Sequence, residues 1–173
     1  QQNSDGSWTE INRGWTWAGR GSMTAFVAWA LAEAGDHSIN LDKALNYLRS
    51  HPDELVNTYT KALSANAFLA HDRNDSLGRK LANELKDAAL TDEKDCLHWA
   101  SAGYSVTYSH GSGMDTECTA LCAMALMKTG TAPQSVNQAL TWISTHKFAD
   151  GSHGSTQATI LCLRALLAAS SAS

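Results

Sequence analysis

Residues 119–130 read TALCAMALMKTG, a run that places apolar side chains on nearly every side of a helix. A helix that is apolar all round is covered by neighbours on most sides, whereas a surface helix carries one apolar stripe. The pattern recurs with an Ala-Leu or Ala-Phe pair at the same offset in residues 24–35 (TAFVAWALAEAG), 61–72 (KALSANAFLAHD) and 159–170 (TILCLRALLAAS). The repeat therefore predicts four equivalent inner helices.

Segments with a narrower apolar stripe lie between these copies and predict outer helices. Their apolar positions are Leu41, Ala44, Leu45 and Leu48, then Leu77, Leu81 and Leu85, then Val136, Ala139, Leu140 and Ile143. Alternating inner and outer helices indicate an all-α fold of stacked hairpins, either a partial ring (an alpha-alpha toroid) or an open superhelix. The long insertion around residues 92–113 favours the ring, because open solenoids keep a tighter period.

Residues with helix-end preferences agree with this division. Gly35 and Gly130 follow the first and third copies, where C-terminal glycine caps belong, and Pro133 suits a first helical turn. Asp115 and Ser155 are expected to be N-caps. Strand periodicity is nearly absent: residues 104–108 (YSVTY) alternate, but the run is short enough to be a loop edge.

Composition limits the classes of protein that the chain can belong to. With 173 residues, 17% of them charged, residues 1–173 are expected to form a single globular domain. A net charge of −4 without a basic cluster disfavours nucleic acid as a partner. No apolar run approaches the roughly 20 residues of a membrane span. The first eight residues lack the features of a signal peptide, so we expect a longer parent protein.

The four cysteines do not predict a metal site. Cys118, Cys122 and Cys162 lie within helical apolar runs, where cysteine is most often a small buried hydrophobic residue. Cys118 and Cys122 share one helical face, but no C-x-x-C pair or His-x-x-x-His pair completes a zinc set. We expect no metal and no cofactor.

Two loop motifs give the chain a family resemblance. Residues 5–8 (DGSW) precede the first inner helix, and residues 150–159 (DGSHGSTQAT) run into the last. Both resemble the Asp-Gly-x-aromatic turns of the thioester domains of the complement and alpha-macroglobulin family, and GSTQAT is similar to the family's signature before its final helix. Further matches follow in order: residues 24–27 (TAFV), 59–63 (YTKAL), 98–99 (HW) and 119–121 (TAL). The chain resembles the C-terminal part of such a domain.

The resemblance implies a scaffold rather than a reactive centre. Reactivity in that family comes from a thioester between the cysteine and the glutamine of a C-x-E-Q motif, and this motif is absent here. The resemblance places it upstream of Gln1. It implies a fragment that is not itself an enzyme, in a secreted or periplasmic (cell-envelope) parent that traps proteases or target surfaces covalently. Other domains of the same polypeptide are the expected direct partners.

Some family members carry a catalytic histidine after the first Asp-Gly-aromatic turn. Residues 11–17 (INRGWTW) contain none, which predicts direct reaction of an upstream thioester with amines rather than relayed attack by hydroxyls.

Four residues are candidates for a binding site. Trp15 and Trp17 could form an aromatic site, although packing at the end of a toroid explains them more simply. His153, beside Gln157, could line the central cavity, but a loop histidine bonded to a neighbouring turn is the simpler interpretation.

A metal or acid–base group at His110, Asp115 and Glu117 is weaker still. Asp115 as an N-cap and Glu117 as a first-turn acid at the helix dipole explain both carboxylates.

Two other functions remain open. Terpenoid cyclases and prenyltransferases share the toroid plan, but the D-x-D-D or D-D-x-x-D cluster that cyclases require is missing. The D-x-C zinc motif of prenyltransferases is also missing, because residues 115–118 (DTEC) have one residue too many. A non-catalytic binding toroid that lacks a thioester is the third possibility.

Seven helices cannot close a ring, so we also expect apolar faces at its two ends and self-association through them.

Overall fold

The computed structural model describes residues 1–9, 18–147 and 151–171. Within these ranges the chain forms seven α-helices, one turn of 3-10 helix at Pro52–Glu54 and a pair of two-residue antiparallel strands. The elements are α1 (Gly19–Glu33), α2 (Ile39–Ser50), α3 (Thr58–His71), α4 (Ser76–Asp87), β1 (Leu90–Thr91), β2 (Leu97–His98), α5 (Ser112–Thr129), α6 (Pro133–Thr145) and α7 (Thr156–Ser171).

Helices α1, α3, α5 and α7 pack side by side in that order and form the inner wall of an arc. Helices α2, α4 and α6 pack against the outside of α1, α3 and α5. All four sequence copies fall in inner helices, and the stripes between them fall in outer helices. The predicted all-α toroid arrangement is therefore confirmed.

Burial differs between the middle and the ends of the arc. Helix α5 buries every residue from 116 to 126, and α3 every residue from 62 to 69. By contrast, α1 and α7 bury mainly the side that faces their single inner neighbour. The sequence predicted four equally buried helices, which is correct only for the two central ones, because each end helix has one inner neighbour instead of two.

One side of α7 carries an exposed apolar stripe. Ile160, Leu163 and Leu167 are 46%, 52% and 65% exposed, and they recur at helical spacing. They fit the expected apolar face at an end of the arc. Self-association through this face stays a prediction.

Four of the five predicted helix-end residues are confirmed. Gly35 follows α1 with φ +71°; its N–H donates to Ala32 O (3.1 Å) and the Asp36 N–H donates to Leu31 O (3.0 Å), the two bonds of a Schellman motif. Gly130 closes α5 in the left-handed conformation, and Pro133 begins α6. Ser155 caps α7, since its Oγ accepts the Ala158 N–H at 3.0 Å.

The assignment of Asp115 as an N-cap was wrong. Helix α5 begins at Ser112 behind Gly111, and Asp115 lies one turn inside it, where Oδ1 accepts the Ser101 N–H at 3.3 Å. Glu117 lies beyond the first turn and is fully buried rather than exposed at the helix end. The start was missed because no side chain caps this end of the helix: the residue before it is Gly111, which has no side chain to signal an N-cap.

Two outer helices end in the same way. His51 and His146 are the C-caps of α2 and α6, and Nδ1 of each lies 2.9 Å from the carbonyl oxygen four residues earlier. Each imidazole also stacks on the ring of that earlier residue, at 4.0 Å on Tyr47 and 4.3 Å on Trp142. Since a carbonyl can only accept, Nδ1 must be the protonated nitrogen. The ring is an additional donor to a carbonyl oxygen that already accepts the backbone N–H of the same histidine.

The insertion between the second and third copies is residues 88–111. It contains the short β1–β2 pair, which the sequence did not predict, while residues 104–108 form a turn and no strand. The turn is held to the inner wall, because the Val106 N–H donates to Tyr59 Oη of α3 at 3.2 Å.

No helix in the described ranges has the length and apolar character needed to cross a bilayer.

Candidate functional site

The first Asp-Gly turn is built from local hydrogen bonds and sits on α2. Asp5 Oδ1 accepts the backbone N–H of Ser7 at 2.9 Å and its hydroxyl at 2.7 Å. Gly6 has φ +91°, and a Cβ added there would lie 3.0 Å from Lys43 Cβ and closer still to the Lys43 carbonyl. Glycine is required here both for its backbone conformation and for the close approach.

The loop before each of three inner helices is fastened by the same contact. In every case a threonine in the first part of the helix accepts the N–H of an aromatic or histidine residue in the preceding loop. The pairs are Trp8 with Thr24 (2.9 Å), Trp99 with Thr119 (3.0 Å) and His153 with Thr159 (3.1 Å). We call each of these contacts between a loop and an inner helix a threonine joint. The three threonines are the first residues of three sequence copies, so the sequence repeat includes the joint as well as the helix.

His153 lies in the joint before α7 at the position that Trp99 has in the joint before α5. Trp99 Nε1 donates to Leu85 O near the end of α4 at 2.7 Å, and His153 Nε2 lies 3.1 Å from Ile143 O near the end of α6. Because a carbonyl only accepts, His153 carries its proton on Nε2. Its side chain is buried, and Nδ1 has no hydrogen-bond partner among the described residues.

Of the other three candidates from the sequence, only Gln157 lies in the described part of the chain. Trp15 and Trp17 lie outside the described residues. Gln157 is half-buried in the first turn of α7. A cavity of about 350 Å³ adjoins His153, with Asp115, Trp142, His146 and Lys147 among its lining residues. Ligand binding by His153 and Gln157 stays a prediction.

A network of charged and polar side chains crosses the inside of the arc. Glu33 of α1 forms ion pairs with Lys128 of α5 (2.8 Å) and Arg164 of α7 (3.3 Å). It also accepts the indole N–H of Trp29 at 3.0 Å, and the Arg164 guanidinium lies over the Trp29 ring at 4.6 Å. The first and last inner helices are thereby joined across the arc, which an open superhelix would not allow.

Helix α3 joins this network through a fully buried asparagine. Asn66 Nδ2 donates to Ala62 O and to Leu121 O of α5, both at 2.9 Å, while its Oδ1 accepts from Lys128 Nζ at 3.1 Å. Every polar atom of the Asn66 side chain is thus used, as a buried amide requires. We call Trp29, Glu33, Asn66, Lys128 and Arg164 the central network.

The central network should make the stability of the chain depend on pH. Burial alone raises the pKa of Glu33, but hydrogen bonding and charge from Lys128, the Trp29 N–H and the charge of Arg164 outweigh it and hold that pKa below its usual 4.5. A lowered carboxyl pKa gives stability above the unfolded pKa that is lost as the pH falls through the folded one. We expect Glu33→Gln to lower the free energy of unfolding by about 1–2 kcal/mol at pH 7.

Urea unfolding at pH 7 and pH 3 measures this effect. The difference between the wild type and Glu33→Gln should begin to shrink below about pH 4.5, the usual pKa that the carboxyl has in the unfolded chain, and should be lost as the pH falls through the lower pKa of the folded state. Glu93→Gln, at an exposed position, is the control and should change stability by less than about 0.5 kcal/mol. Equal stabilities of Glu33→Gln and the wild type at pH 7 would contradict the prediction.

A second buried acid lies beneath the 100–111 loop. Glu117 is fully buried, and its Oε1 lies 3.4 Å from the Thr107 hydroxyl. Burial raises the pKa of Glu117, and the hydroxyls of Ser109, Ser105 and Thr107 offset this only in part. The Thr107 hydroxyl donates to this buried carboxyl, so Glu117 links the loop to α5.

Burial keeps three of the four cysteines as thiols rather than nucleophilic thiolates. Cys96, Cys118, Cys122 and Cys162 are all free and buried. Burial raises the pKa of Cys118 and Cys122, and burial together with Glu117 raises the pKa of Cys162 to about 12. A thiol with so high a pKa carries almost no thiolate at neutral pH. Within the described ranges no three His, Cys, Asp or Glu side chains are grouped as metal ligands.

Comparison with known proteins identifies relatives along almost the whole chain. A family model described as the A-macroglobulin TED domain matches residues 1–168. The chain is 30% identical over 155 residues to A.superbus venom factor 2 of Austrelaps superbus, and 30% identical over 156 residues to Complement C3 of Naja naja. Cobra venom factor of Naja kaouthia is 29% identical over 153 residues.

These alignments cover 84%, 84% and 83% of the chain, but in each case about 8% of the relative. The chain therefore corresponds to a small part of each of these relatives.

Proposed function

Because the chain belongs to the A-macroglobulin TED (thioester) domain family, we propose that it is scaffold from such a domain, in a parent protein that captures proteases or target surfaces covalently. The match over residues 1–168 carries this proposal. The arc of inner helices and the threonine joints support it, because they form a continuous wall against which neighbouring hairpins can pack. The reactive cysteine and glutamine are assigned to the segment preceding Gln1.

We further propose that this part of the domain contributes no catalytic group. The cysteine thiols are buried, and the C-x-E-Q motif is absent from the 173 residues. Its contribution is structural: the central network sets the curvature of the arc, and the threonine joints fix the loops that lead into the inner helices.

The parent is proposed to be secreted, or to lie in the cell envelope. Relatives named venom factor and Complement C3 support an extracellular setting. The expected direct partners are other domains of the same polypeptide, and the target is a protease or a surface presented to the reactive site.

The test is small-nucleophile labelling of the intact parent protein. Methylamine should become attached to one glutamine upstream of Gln1 and release one cysteine thiol, because aminolysis of a thioester forms an amide and frees the thiolate. Glycerol should give little ester product, since residues 11–17 contain no histidine to relay attack by a hydroxyl.

Peptide mass spectrometry and thiol titration read out both reactions, and pretreatment with methylamine is the control for glycerol. If methylamine releases no thiol, the proposed function is refuted. The alternative function, a binding toroid that has no thioester, would then be favoured. Efficient glycerol ester formation would refute only the direct-amine part of the proposal.

A further inference from the structure

The turn between α3 and α4 carries a sequence triplet that the scaffold role does not explain. Residues 74–76 read Asn-Asp-Ser, the one Asn-x-Ser/Thr triplet with x other than proline in the 173 residues. In a secreted protein this triplet is the acceptor sequence for an N-linked glycan, provided that it is on the surface. The turn follows His71, the last residue of α3, and leads into α4 at Ser76.

The fold directs the middle residue of the triplet inward. Asp75 is 8% exposed, its Oδ1 accepts the Gly78 N–H at 2.8 Å, and its Oδ2 forms an ion pair with Arg49 of α2. Asp75 is the N-cap of α4, and its own N–H donates to Asp72 O at 3.0 Å. The contacts of Asp75 therefore hold the turn in place without using the side chains of Asn74 and Ser76.

The two flanking residues of the triplet face solvent. Asn74 and Ser76 are exposed, as are their neighbours His71 and Arg73. The Asn74 side chain is contacted at Oδ1, which lies 3.4 Å from the Arg79 guanidinium. Its Nδ2, the atom that would take a sugar, makes no hydrogen bond within the described part of the chain. Because Asn74 is exposed, a bulky hydrophilic group on Nδ2 can extend into solvent.

We propose that Asn74 is an N-linked glycosylation site. Nδ2 loses a proton and forms a bond to the first sugar carbon of a lipid-diphosphate-linked oligosaccharide, while the bond from that carbon to the diphosphate oxygen breaks and the lipid diphosphate leaves. The inference rests on the proposed secretory route of the parent. It does not depend on the thioester.

A glycan at this position also restricts how the domain packs in the parent. Because a glycan is large and strongly hydrated, the surface around the α3–α4 turn must stay in solvent. Neighbouring domains then contact other faces of the arc.

The experiment is glycopeptide analysis of the intact parent, expressed in a eukaryotic cell line behind a secretory leader. Peptides covering residue 74 are analysed with and without an amidase that removes the glycan and converts the asparagine to aspartate. The wild type should carry a glycan at Asn74, and Asn74→Gln and Ser76→Ala should lose it completely. Ser76→Thr should retain it, and Asn83→Gln, at an exposed asparagine outside any such triplet, should leave it unchanged.

Protein recovered from inside the secretory pathway serves as well as secreted protein, because the transfer precedes secretion. Unmodified Asn74 in both the wild type and Ser76→Thr overturns the proposal. Glycosylated protein that releases no thiol with methylamine would refute the proposed function and leave this site standing. Unglycosylated protein that reacts with methylamine would overturn the glycosylation site and support the proposed function.

Discussion

Replacing Trp99 with alanine is expected to lower the free energy of unfolding by about 4 kcal/mol. The indole is 1% exposed and closes the joint between α4 and α5, so its removal leaves a large cavity in the core. It also leaves the Leu85 carbonyl without the donor that Nε1 provides at 2.7 Å. The backbone bond from Trp99 to Thr119 survives the substitution, so the loss measures the side chain alone.

Trp99→Phe separates the contribution of the hydrogen bond to stability from that of the buried side-chain volume. It keeps most of the buried ring and loses the N–H, so it should cost about 1–2 kcal/mol. Equilibrium unfolding in urea, followed by circular dichroism, measures both variants. A loss below about 1 kcal/mol for Trp99→Ala would show that the joint does not depend on the indole.

The inner and outer helices could be predicted because the local periodicity of apolar residues indicates how much of each helix is buried. A run such as residues 119–130 has no polar side, and a stripe such as the one on α6 has one apolar side, so each predicts its own place in the wall. The helix ends could be predicted where a residue type determines the backbone conformation, as at Gly130 and Pro133. The start of α5 could not be predicted in this way, because no side chain caps that end of the helix.

The joints were only partly predictable. The Asp-Gly turns marked two of them, but Trp99 follows no such turn, and the part played by Thr119 depends on a loop that folds back onto it. The second copy starts with Lys61 where the others have threonine. That lysine instead forms an ion pair with Glu84 of α4 at 2.8 Å, and the connection before it contains no Asp-Gly turn.

The central network was missed although the repeat contains its signal. Its members stand only at the sixth and tenth positions of the copies: Trp29 and Glu33 in the first, Asn66 in the second, Lys128 in the third and Arg164 in the fourth. Positions four apart lie on one face of a helix, and in a ring of equivalent helices that face points to the centre. Which of these side chains pair depends on the curvature of the arc, which local periodicity does not encode.

The first joint offers the sharpest test of close packing. Gly6→Ala is expected to weaken the docking of residues 1–9 on α2 by about 3 kcal/mol, combining the strain of a side chain at positive φ with a collision against backbone. The colliding atoms belong mainly to the Lys43 carbonyl within α2, which cannot move without disturbing that helix. Amide hydrogen exchange at Trp8, whose N–H is bonded to Thr24, reports the opening of this joint.

Gly103→Ala is the matched control for that variant. Gly103 has φ +93°, nearly the angle of Gly6, but an added Cβ there meets nothing within 4 Å. It should therefore show only the backbone strain, about 1–2 kcal/mol, measured as faster exchange of its own loop. Protection of the Trp8 amide should fall about 100-fold in Gly6→Ala and stay unchanged in Gly103→Ala. Unchanged protection at Trp8 in Gly6→Ala would mean that the first Asp-Gly turn does not rest on α2, and that the contact with Thr24 alone holds the joint.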